Sequence, residues 1–458
     1  MEYIERFIEK DFKEWKDSAN DYVLEVAGCR QVGKTTAVRH FAEQNYKNVI
    51  YVDVVSKDNT KILERVDEYN VEESLRSYCK LKGLDFTNDK DTVLILDEIQ
   101  DSKALYERIR IFNRCLNCDV IVTGSYLQKT KNYFQPAGDL FCIRMYPLSF
   151  EEYLNYFGLY EYYCDSSVEQ ICAERYDDFK EVYDLYLRIG GYPSVFNAYL
   201  RGRSLDNAFE ALINTFKSEF NVRITRGSDV DKIDQMFSAI CDIICREKKG
   251  DSRIVDSLSK MTEQEVSKRI STKECNDLLA WMSAARLINY CDKVDLSTGR
   301  LYPSERFYFE DTGLFNYICE QNFIDSRSAN GVLAETFVYK QLSENKFSKR
   351  FYRTRPSFAI NASYELDFYV RSKIDDKVYG IEVKSGDSIG ISISKMLEQH
   401  QIDFAVYAKG DCKCGVDEQK YTLPVFLFNK FTFDKGGVVE RAPLPKLTKD
   451  SFRPKSNR

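Results

Sequence analysis

A glycine-rich segment that directly follows an apolar run is the feature that most limits how this chain can fold. Residues 28–35 fit the pattern GxxxxGK[ST], with a predicted strand from Tyr22 to Ala27 before them and a predicted helix from Lys34 to Gln44 after them. A strand, a tight loop and a helix N-terminus in this order form a P-loop, whose backbone N–H groups and lysine surround phosphates. The sequence therefore predicts an ATP site, with these nucleotide-binding residues: Gly28, Cys29, Arg30, Gln31, Val32, Gly33, Lys34, Thr35 and Thr36.

Two adjacent acids follow a second apolar run about 60 residues later. Val93 to Leu96 reads as a strand that ends in Asp97 and Glu98. Parallel sheets bind ligands at the carboxyl ends of their strands, so both acids are expected at the phosphate site. We expect Asp97 and the Thr35 hydroxyl to hold the Mg²⁺ that accompanies ATP, and Glu98 to orient the attacking water.

A hydroxyl group at the end of the next strand is a further candidate. The apolar run from Asp119 to Thr123 ends in Thr123, Gly124 and Ser125. We interpret Thr123, with Ser125 as the second choice, as the side chain that senses the γ-phosphate; the alternative is a simple turn. The predicted catalytic residues are thus Lys34, Asp97, Glu98 and Thr123.

The N-terminal third alternates short apolar runs with helical stretches. Further strands are predicted at Asn48–Val52 and Phe141–Met145, and an amphipathic helix at Glu2–Trp15. Alternation of this kind indicates an α/β fold with a parallel sheet covered by helices on both faces. We assign residues 1–150 to this P-loop core and residues 151–235, which are rich in helical periodicity, to a helical lid.

Composition narrows the function classes. The 458 residues suggest about three domains, and the net charge of −6 excludes a uniformly basic nucleic-acid binder, though not a local basic face. No apolar run reaches the length of a membrane span, and the charged N-terminus lacks a signal-peptide core. We therefore expect a cytoplasmic protein with no membrane partner.

Residues 236–325 follow the pattern of a winged helix. Helices are expected at Val266–Ile270 and Lys273–Ile288, and a strand pair at Tyr290–Tyr302 around a Ser-Thr-Gly turn. A winged helix places one helix in a DNA groove while basic residues bind phosphate; the alternative is a helix bundle with ordinary surface charge. The basic residues of this segment are Arg246, Lys248, Lys249, Arg253, Lys260, Lys268, Arg269 and Lys273.

Carboxylates and a lysine on two predicted strands form a second candidate site. Asp367 lies in the strand Glu365–Val370, and Glu382 and Lys384 share one face of the strand Val378–Val383 with its continuation. Two carboxylates beside a lysine are the pattern of PD-(D/E)xK nucleases, in which acids hold Mg²⁺. The alternative is two solvated strand faces. We assign residues 326–435 to this α/β unit and residues 436–458 to a basic tail.

Motifs in a fixed order give the chain a family resemblance. They are the P-loop, Leu-Asp-Glu-Ile-Gln at 96–100, Thr-Gly-Ser at 123–125, Tyr-Pro-Leu-Ser-Phe-Glu-Glu-Tyr from 146, Gly-Gly-Tyr-Pro at 190–193, Phe-Glu-Asp-Thr-Gly-Leu from 309, Leu-Ala-Glu-Thr-Phe-Val around Glu335, and Glu-Val-Lys-Ser-Gly from 382. Over nearly its whole length the chain resembles prokaryotic AAA-type ATPases that carry a C-terminal domain of unknown function.

The resemblance implies an AAA+ core, a helical lid, a winged-helix segment and a restriction-endonuclease-like domain, together with work on DNA. It also implies that Glu335 is the helical acid of the second candidate site, which then comprises Glu335, Asp367, Glu382 and Lys384. One departure stands out, because Asp139 occupies a position where many relatives have arginine. Candidates for the trans-acting arginine finger are Arg144, Arg110 and Arg114, and Arg188 is a candidate lid sensor.

The sequence thus favours an ATP-dependent AAA+ motor that acts on DNA. We expect a homo-oligomer, with six subunits as the expected number, that migrates branches or remodels strands at DNA junctions. Two alternatives stay open: an ATP-gated, Mg²⁺-dependent nuclease that acts against foreign DNA, and a nucleotide-controlled signalling switch that binds a protein partner.

Overall fold

The structure is a computed structural model that describes residues 3–18, 22–56, 60–125, 139–220, 230–246, 271–343, 355–360, 364–387 and 390–438. The predicted helix at Val266–Ile270, most of the basic residues of the winged-helix segment and nearly all of the basic tail lie outside these ranges. In the ranges given, no helix combines the length and apolar character that a membrane crossing requires.

A five-stranded parallel sheet forms the N-terminal part of the molecule. Its strands are β1 (Val23–Gly28), β2 (Asn48–Asp53), β3 (Thr92–Asp97), β4 (Asp119–Gly124) and β5 (Leu140–Met145). Their spatial order is β2-β3-β4-β1-β5, and every neighbouring pair is parallel. The α/β fold with a parallel sheet is therefore confirmed, and each predicted strand agrees with the structure to within one residue at either end.

Helices cover both faces of this sheet. They are α1 (Ile8–Asp17), α2 (Lys34–Asn45), α3 (Thr60–Leu63), α4 (Val71–Lys82), α5 (Lys103–Glu107) and α6 (Ile109–Cys115). One face packs Leu24 and Val26 against α1 and α2, and the other packs Leu94 and Leu96 against α4 to α6. Strands β1 and β3 are buried throughout because they are covered on both sides, which explains their continuous apolar character.

A series of helices follows the sheet. They are α7 (Phe150–Tyr156), α8 (Tyr160–Asp165), α9 (Val168–Glu174), α10 (Tyr176–Ile189), α11 (Pro193–Leu200), α12 (Leu205–Phe220) and α13 (Val230–Arg246). Between α10 and α11, Gly190 has φ +74°, and a Cβ on it would lie 2.1 Å from Asp311 Oδ1. The Gly191 N–H donates to Asp311 Oδ2 at 2.6 Å, so the double-glycine turn docks against a buried carboxylate 120 residues later.

The segment predicted as a winged helix contains one described helix and two strand pairs. They are α14 (Thr272–Ala284), β6 (Ile288–Tyr290) with β9 (Phe307–Phe309), and β7 (Asp292–Val294) with β8 (Leu301–Tyr302). The helix ends four residues earlier than predicted, because Arg286, just after its C-cap Ala285, has φ +60° and cannot continue it. The hairpin around the Ser-Thr-Gly turn is present, but β7 also pairs with a strand near residue 357, so it is not a separate wing.

The described C-terminal part combines three α-helices with two mixed sheets. Its elements are α15 (Thr312–Gln321), α16 (Ser326–Ser343), β10 (Ser357–Ile360), β11 (Glu365–Leu366), β12 (Phe368–Arg371), β13 (Val378–Lys384), α17 (Ile391–Glu398), β14 (Phe404–Lys409), β15 (Gly415–Asp417) and β16 (Lys420–Pro424). Together with β7 and β8, these strands form two separate sheets, one in the order β11-β10-β7-β8 and the other in the order β12-β13-β14-β16-β15.

The predicted strand Glu365–Val370 is divided at Asp367. Glu365 and Leu366 pair with β10, whereas Phe368 and the residues after it pair with β13, so the chain changes sheets at this residue. The Asp367 carboxylate accepts the Val383 N–H at 2.7 Å and so bridges the interruption. The winged-helix and PD-(D/E)xK assignments stay predictions, and so do the domain boundaries. The predicted boundary at 325/326 lies between β7 and β10 in the sequence, although these two strands pair with each other.

Candidate functional site

The loop between β1 and α2 has backbone geometry that only its glycines allow at two positions. A Cβ on Gly28 would lie 2.3 Å from the Met145 carbonyl oxygen of β5. Gly33 has φ +94° at the N-cap of α2, in the left-handed region that favours glycine. The loop therefore turns tightly from the central strand into the helix N-terminus, where backbone N–H groups without helical partners bind anions.

Lys34 lies in the buried centre of this loop. Its ammonium group donates to the Cys29 carbonyl at 2.9 Å, to the Gly28 carbonyl at 3.2 Å and to Ser125 Oγ at 3.1 Å. Burial lowers the pKa of Lys34, and the negative charges of Glu98 and Asp97 oppose this effect. The lysine thus lies where the loop, the end of β4 and the acidic pair meet.

Asp97 is the meeting point of three hydroxyl groups at the end of β3. Thr35 Oγ1 donates to it at 2.9 Å and Tyr51 OH at 2.6 Å, and the Thr123 hydroxyl also donates to it. The carboxylate and the Thr35 hydroxyl are oxygen ligands of the kind that Mg²⁺ prefers, at the N-terminus of the P-loop helix. The residues present therefore fit the predicted Mg²⁺ role for Thr35 and Asp97.

Glu98 has a positive φ, which is uncommon for residues other than glycine. Its φ of +54° lies in the left-handed region, and its N–H donates to Thr123 Oγ1 at 3.2 Å. Gln100 Nε2 donates to the Glu98 carboxylate at 2.5 Å, and Ser125 Oγ lies 3.4 Å from it. Strained backbone of this type concentrates at functional sites. The two carboxylates thus have different partners, since Thr35, Tyr51 and Thr123 contact Asp97, whereas Gln100 and Ser125 contact Glu98.

The remaining loop residues connect the P-loop to the helices that follow the sheet. Arg30 Nε lies 3.0 Å from Glu219 Oε1, and Gln31 Nε2 donates to Thr215 Oγ1 at 2.9 Å, both on α12. Burial raises the pKa of the Cys29 thiol to about 12. Val32 is buried and Thr36 is exposed. The loop is therefore tied to α12 by two polar contacts at its outer face.

Three of the four arginines proposed as finger or sensor are bound within their own chain. Arg144 lies on β5 and forms an ion pair with Glu310 at 2.5 Å. Arg110 and Arg114 lie 2.9 and 3.4 Å from the carboxylate of Asp139. Arg188 is exposed on α10. The three finger candidates are therefore paired with acids of their own chain, although Arg114 is largely exposed.

The second candidate site lies where α16 and strands β11 to β13 meet. Lys384 Nζ is 2.5 Å from Glu382 Oε1, so these two residues share a strand face as expected. Burial raises the pKa of Asp367 well above its usual value, and the charges of Glu335 and Glu382 add to that effect. The four predicted residues thus come into one electrostatic neighbourhood.

An arginine that the sequence did not single out lies among these acids. Arg306 donates to Glu335 at 2.8 Å and to Glu365 at 2.7 Å, and lies 3.8 Å from Asp367. No group of three His, Cys, Asp or Glu side chains in the described part of the chain has a metal-binding arrangement. Arg306 pairs with Glu335, one of the four predicted residues, and with Glu365, which stands two residues before Asp367.

Sequence reasoning missed several partners of the P-loop site. Tyr51, whose hydroxyl donates to Asp97, belongs to no sequence motif, and its position beside Asp97 follows only from the pairing of β2 with β3. Gln100 is the last residue of the Leu-Asp-Glu-Ile-Gln motif, but its contact with Glu98 depends on the tight turn after β3. Arg6, described below, is separated from the loop by more than 20 residues, and no local pattern marks it.

Family models match two parts of the chain. Residues 20–154 match the model of an AAA domain, and residues 180–324 match a domain of unknown function (DUF8612). The first match contains the parallel sheet and the P-loop site, and the second begins within the first half of α10 and ends just after α15. No curated protein sequence matches the chain.

Solved structures share a distant likeness with the chain. A Walker-type ATPase of Pyrococcus abyssi is 13% identical over 69% of this chain and 96% of that one, with a TM-score of 0.41. The Orc1 protein of Aeropyrum pernix, solved in complex with DNA, is 12% identical over 70% of this chain and 94% of that one, with a TM-score of 0.30. Likeness at this level carries no argument about what the chain binds.

Proposed function

The chain carries an AAA-type ATPase domain, and we propose that it is an ATP-dependent AAA+ motor that acts on DNA, remodelling strands or migrating branches at junctions. The observation that carries the ATPase part is the convergence of Lys34, Asp97, Glu98 and Thr123. These side chains come from the loop after β1 and from the carboxyl ends of β3 and β4. Phosphoryl transfer to water needs a phosphate cradle, a cation site and a group that orients the water.

Each residue has a role in this proposal. The P-loop N–H groups and Lys34 bind the phosphates, and Thr35 and Asp97 hold the Mg²⁺ that offsets phosphate charge. Glu98 orients and polarises the water that attacks the γ-phosphate. Thr123, which contacts both acids, holds them in register with one another.

The DNA part of the proposal rests on the family resemblance and on the basic residues of the winged-helix segment. Acids are interspersed with these residues, so we expect recognition of DNA structure and backbone rather than of base sequence. A closed ring of six subunits is the assembly that would let one subunit supply a group to the ATP site of the next.

One experiment tests the whole proposal. The ATPase rate is measured without DNA and with duplex, single-stranded and four-way-junction DNA, alongside the mass of the oligomer. We expect stimulation by junction DNA that weakens as salt is raised, because phosphate contacts release counterions. Slow turnover with no response to any DNA would instead support the nucleotide-controlled switch with a protein partner.

Two variants test the site itself. Lys34→Ala is expected to abolish nucleotide binding. Glu98→Gln is expected to keep ATP binding and to lower turnover by about a hundredfold or more, because it removes only the group that polarises the water. Full turnover in either variant would show that the site is assigned wrongly.

A second candidate function is the ATP-gated nuclease. The proximity of Asp367, Glu382 and Lys384 favours it, whereas Arg306, which already neutralises neighbouring carboxylates, ranks it below the motor. Plasmid cleavage with Mg²⁺ or Mn²⁺ tests it, with Lys384→Ala as the control. Absence of cleavage by the unmodified protein, or cleavage that survives in Lys384→Ala, would exclude it.

A further inference from the structure

A buried arginine near the N-terminus binds the back of the P-loop. The Arg6 side chain is 6% exposed, and its Nη1 donates to the Val32 carbonyl at 2.7 Å. Its Nη2 donates to the Tyr146 carbonyl, just beyond β5, at 2.7 Å, and its Nε donates to Glu152 at 3.0 Å. One guanidinium group therefore joins the phosphate-binding loop, the end of the neighbouring strand and α7. It also lies outside residues 20–154, which match the AAA model.

Glu152 holds this arginine in one orientation. Besides Arg6, its carboxylate accepts the Phe7 N–H at 2.7 Å and the Ser149 N–H at 2.8 Å. The latter contact belongs to the capping box at the start of α7. Glu152 is therefore fixed by backbone groups on both sides, and the planar Arg6 fork is left with little freedom. Buried ion pairs contribute little net stability, so a role in positioning better accounts for this pair.

The geometry of the peptide bond links Arg6 to phosphate binding. In a trans peptide the carbonyl and the following N–H point in opposite directions. Because the Val32 carbonyl points to Arg6, the Gly33 N–H points to the opposite face of the loop. Arg6 Nη1 would lie 3.5 Å from a Cβ on Gly33, so the guanidinium packs directly behind this glycine.

We propose that Arg6 is a positioning residue of the P-loop, which fixes the Val32–Gly33 peptide so that its N–H is presented to the nucleotide phosphates. This inference rests on the proposed nucleotide binding at residues 28–35. Arg6 does not touch the reacting atoms itself. Its effect acts on substrate and transition state alike, because the same loop N–H groups bind the phosphates in both.

The test compares Arg6→Gln and Arg6→Lys with the unmodified chain. Both remove the fork, but lysine keeps the charge and one set of donors. ADP affinity is measured by calorimetry at a temperature where circular dichroism shows each variant to be folded. We expect Arg6→Gln to weaken ADP binding by about tenfold, in line with the loss of one charge-assisted hydrogen bond, and Arg6→Lys to fall between it and the parent. If Arg6→Gln does not fold, Arg6→Lys carries the test.

Kinetics provide a second readout that a merely structural role would not move. A loss of ground-state phosphate binding raises KM with kcat nearly constant. We therefore expect KM for ATP to rise about tenfold and kcat to stay within about threefold. Arg76→Gln is the matched control, since it removes an exposed ion pair with Glu72 on α4, and it should leave both constants unchanged.

Failure of this inference can be told apart from failure of the proposed function. Lys34→Ala with normal ADP affinity would overturn nucleotide binding at the P-loop itself. Loss of binding in Lys34→Ala, together with parental ADP affinity and KM in folded Arg6→Gln and Arg6→Lys, would overturn only the role of Arg6. A lowered melting temperature with unchanged affinity would equally reject it.

Discussion

Arg110 Nε lies 2.9 Å from Asp139 Oδ2, so an arginine proposed as a trans-acting finger is bound by an acid of its own chain. Asp139 stands just before β5, where many members of the resembling family have arginine. Arg114 lies 3.4 Å from the same carboxylate. The departure noted in the sequence is therefore a local charge arrangement that holds two arginines on α6.

Replacing Asp139 by asparagine tests whether these arginines have more than a structural role. We expect Asp139→Asn to lower the free energy of unfolding by about 1 kcal/mol, because half-exposed ion pairs contribute no more than that. Turnover should stay within about twofold of the parent. Chemical denaturation and an ATPase assay measure both quantities.

Asp178→Asn, which removes the exposed pair with Arg175, is the control for Asp139→Asn. A clear rise in turnover in Asp139→Asn alone would contradict the expectation. It would mean that Asp139 restrains an arginine that serves a neighbouring subunit.

The Thr123 hydroxyl is expected to be required for turnover. It donates to Asp97 and accepts the Glu98 N–H, so it holds the two acids relative to each other. Thr123→Val keeps the shape and removes a buried hydroxyl, so we expect kcat to fall by about tenfold or more, together with a loss of about 1–3 kcal/mol in the free energy of unfolding. The assay is therefore run at a temperature where circular dichroism shows the variant to be folded. Thr123→Ser, which keeps the hydroxyl, is the matched comparison. Equal kcat in the valine and serine variants would show that the hydroxyl is dispensable.

The buried carboxylate of Asp311 is expected to be the polar anchor of the double-glycine turn. It accepts the Gly191 N–H at 2.6 Å and caps α15 through the Leu314 N–H at 2.8 Å. Asp311→Ala leaves both donors buried, so we expect a loss of about 3 kcal/mol in the free energy of unfolding. Denaturant titration measures it.

Asp325→Ala supplies the comparison for Asp311→Ala. Asp325 also accepts a backbone N–H at the start of a helix, from Ser328 at 2.9 Å, but it is exposed. We expect a clearly smaller loss there, because water can replace the exposed carboxylate as the acceptor of the backbone N–H. Similar losses in the two variants would argue against the docking role of Asp311.

The pH dependence of stability should report the charge of Asp367. Burial, together with the charges of Glu335 and Glu382, raises the pKa of Asp367 in the folded state above its value in the unfolded chain. The folded state therefore holds its proton longer, and the free energy of unfolding falls as pH rises from about 4 through the folded pKa. Asp367→Asn removes this loss, so we expect the variant to gain stability over the parent as pH increases.

Asp295→Asn is the control for Asp367→Asn, because the pKa of Asp295 is shifted in the opposite direction. Hydrogen bonds from Ser297 lower the pKa of Asp295, so its contribution is present above about pH 4 and is lost as pH falls through the folded pKa. Melting temperatures between about pH 2 and 8 give both curves, with the Asp295 effect at the acid end and the Asp367 effect above about pH 4. If the curves of Asp367→Asn and the parent run parallel, Asp367 does not carry the raised pKa.

Much of the N-terminal fold is encoded in short stretches of sequence. Strand β3 is a continuous apolar run that ends in acids, and residues 28–35 contain the glycines that the turn into α2 needs. Patterns of this kind depend on side-chain period and on allowed backbone angles, which neighbouring residues determine. The α/β class, the P-loop and the position of Asp97 and Glu98 at a strand end could therefore be predicted.

Contacts between distant segments could not be predicted in the same way. The hairpin at Tyr290–Tyr302 was predicted, but the pairing of β7 with β10 was not, and the predicted strand through Asp367 divides between two sheets. Strand pairing over 60 residues depends on which surfaces are left to be covered after local structure has formed. No window of sequence around β7 contains that information.

The sequence by itself determined the position of the P-loop, because this loop needs glycine, lysine and threonine at fixed spacing along one chain segment. Only the tertiary structure decided what supports that loop and what surrounds the acids. Arg6 reaches Val32 from the N-terminal segment, Asp139 binds Arg110, and Arg306 enters the C-terminal acidic cluster. Each of these contacts follows from packing between elements far apart in the chain, which residue spacing cannot report.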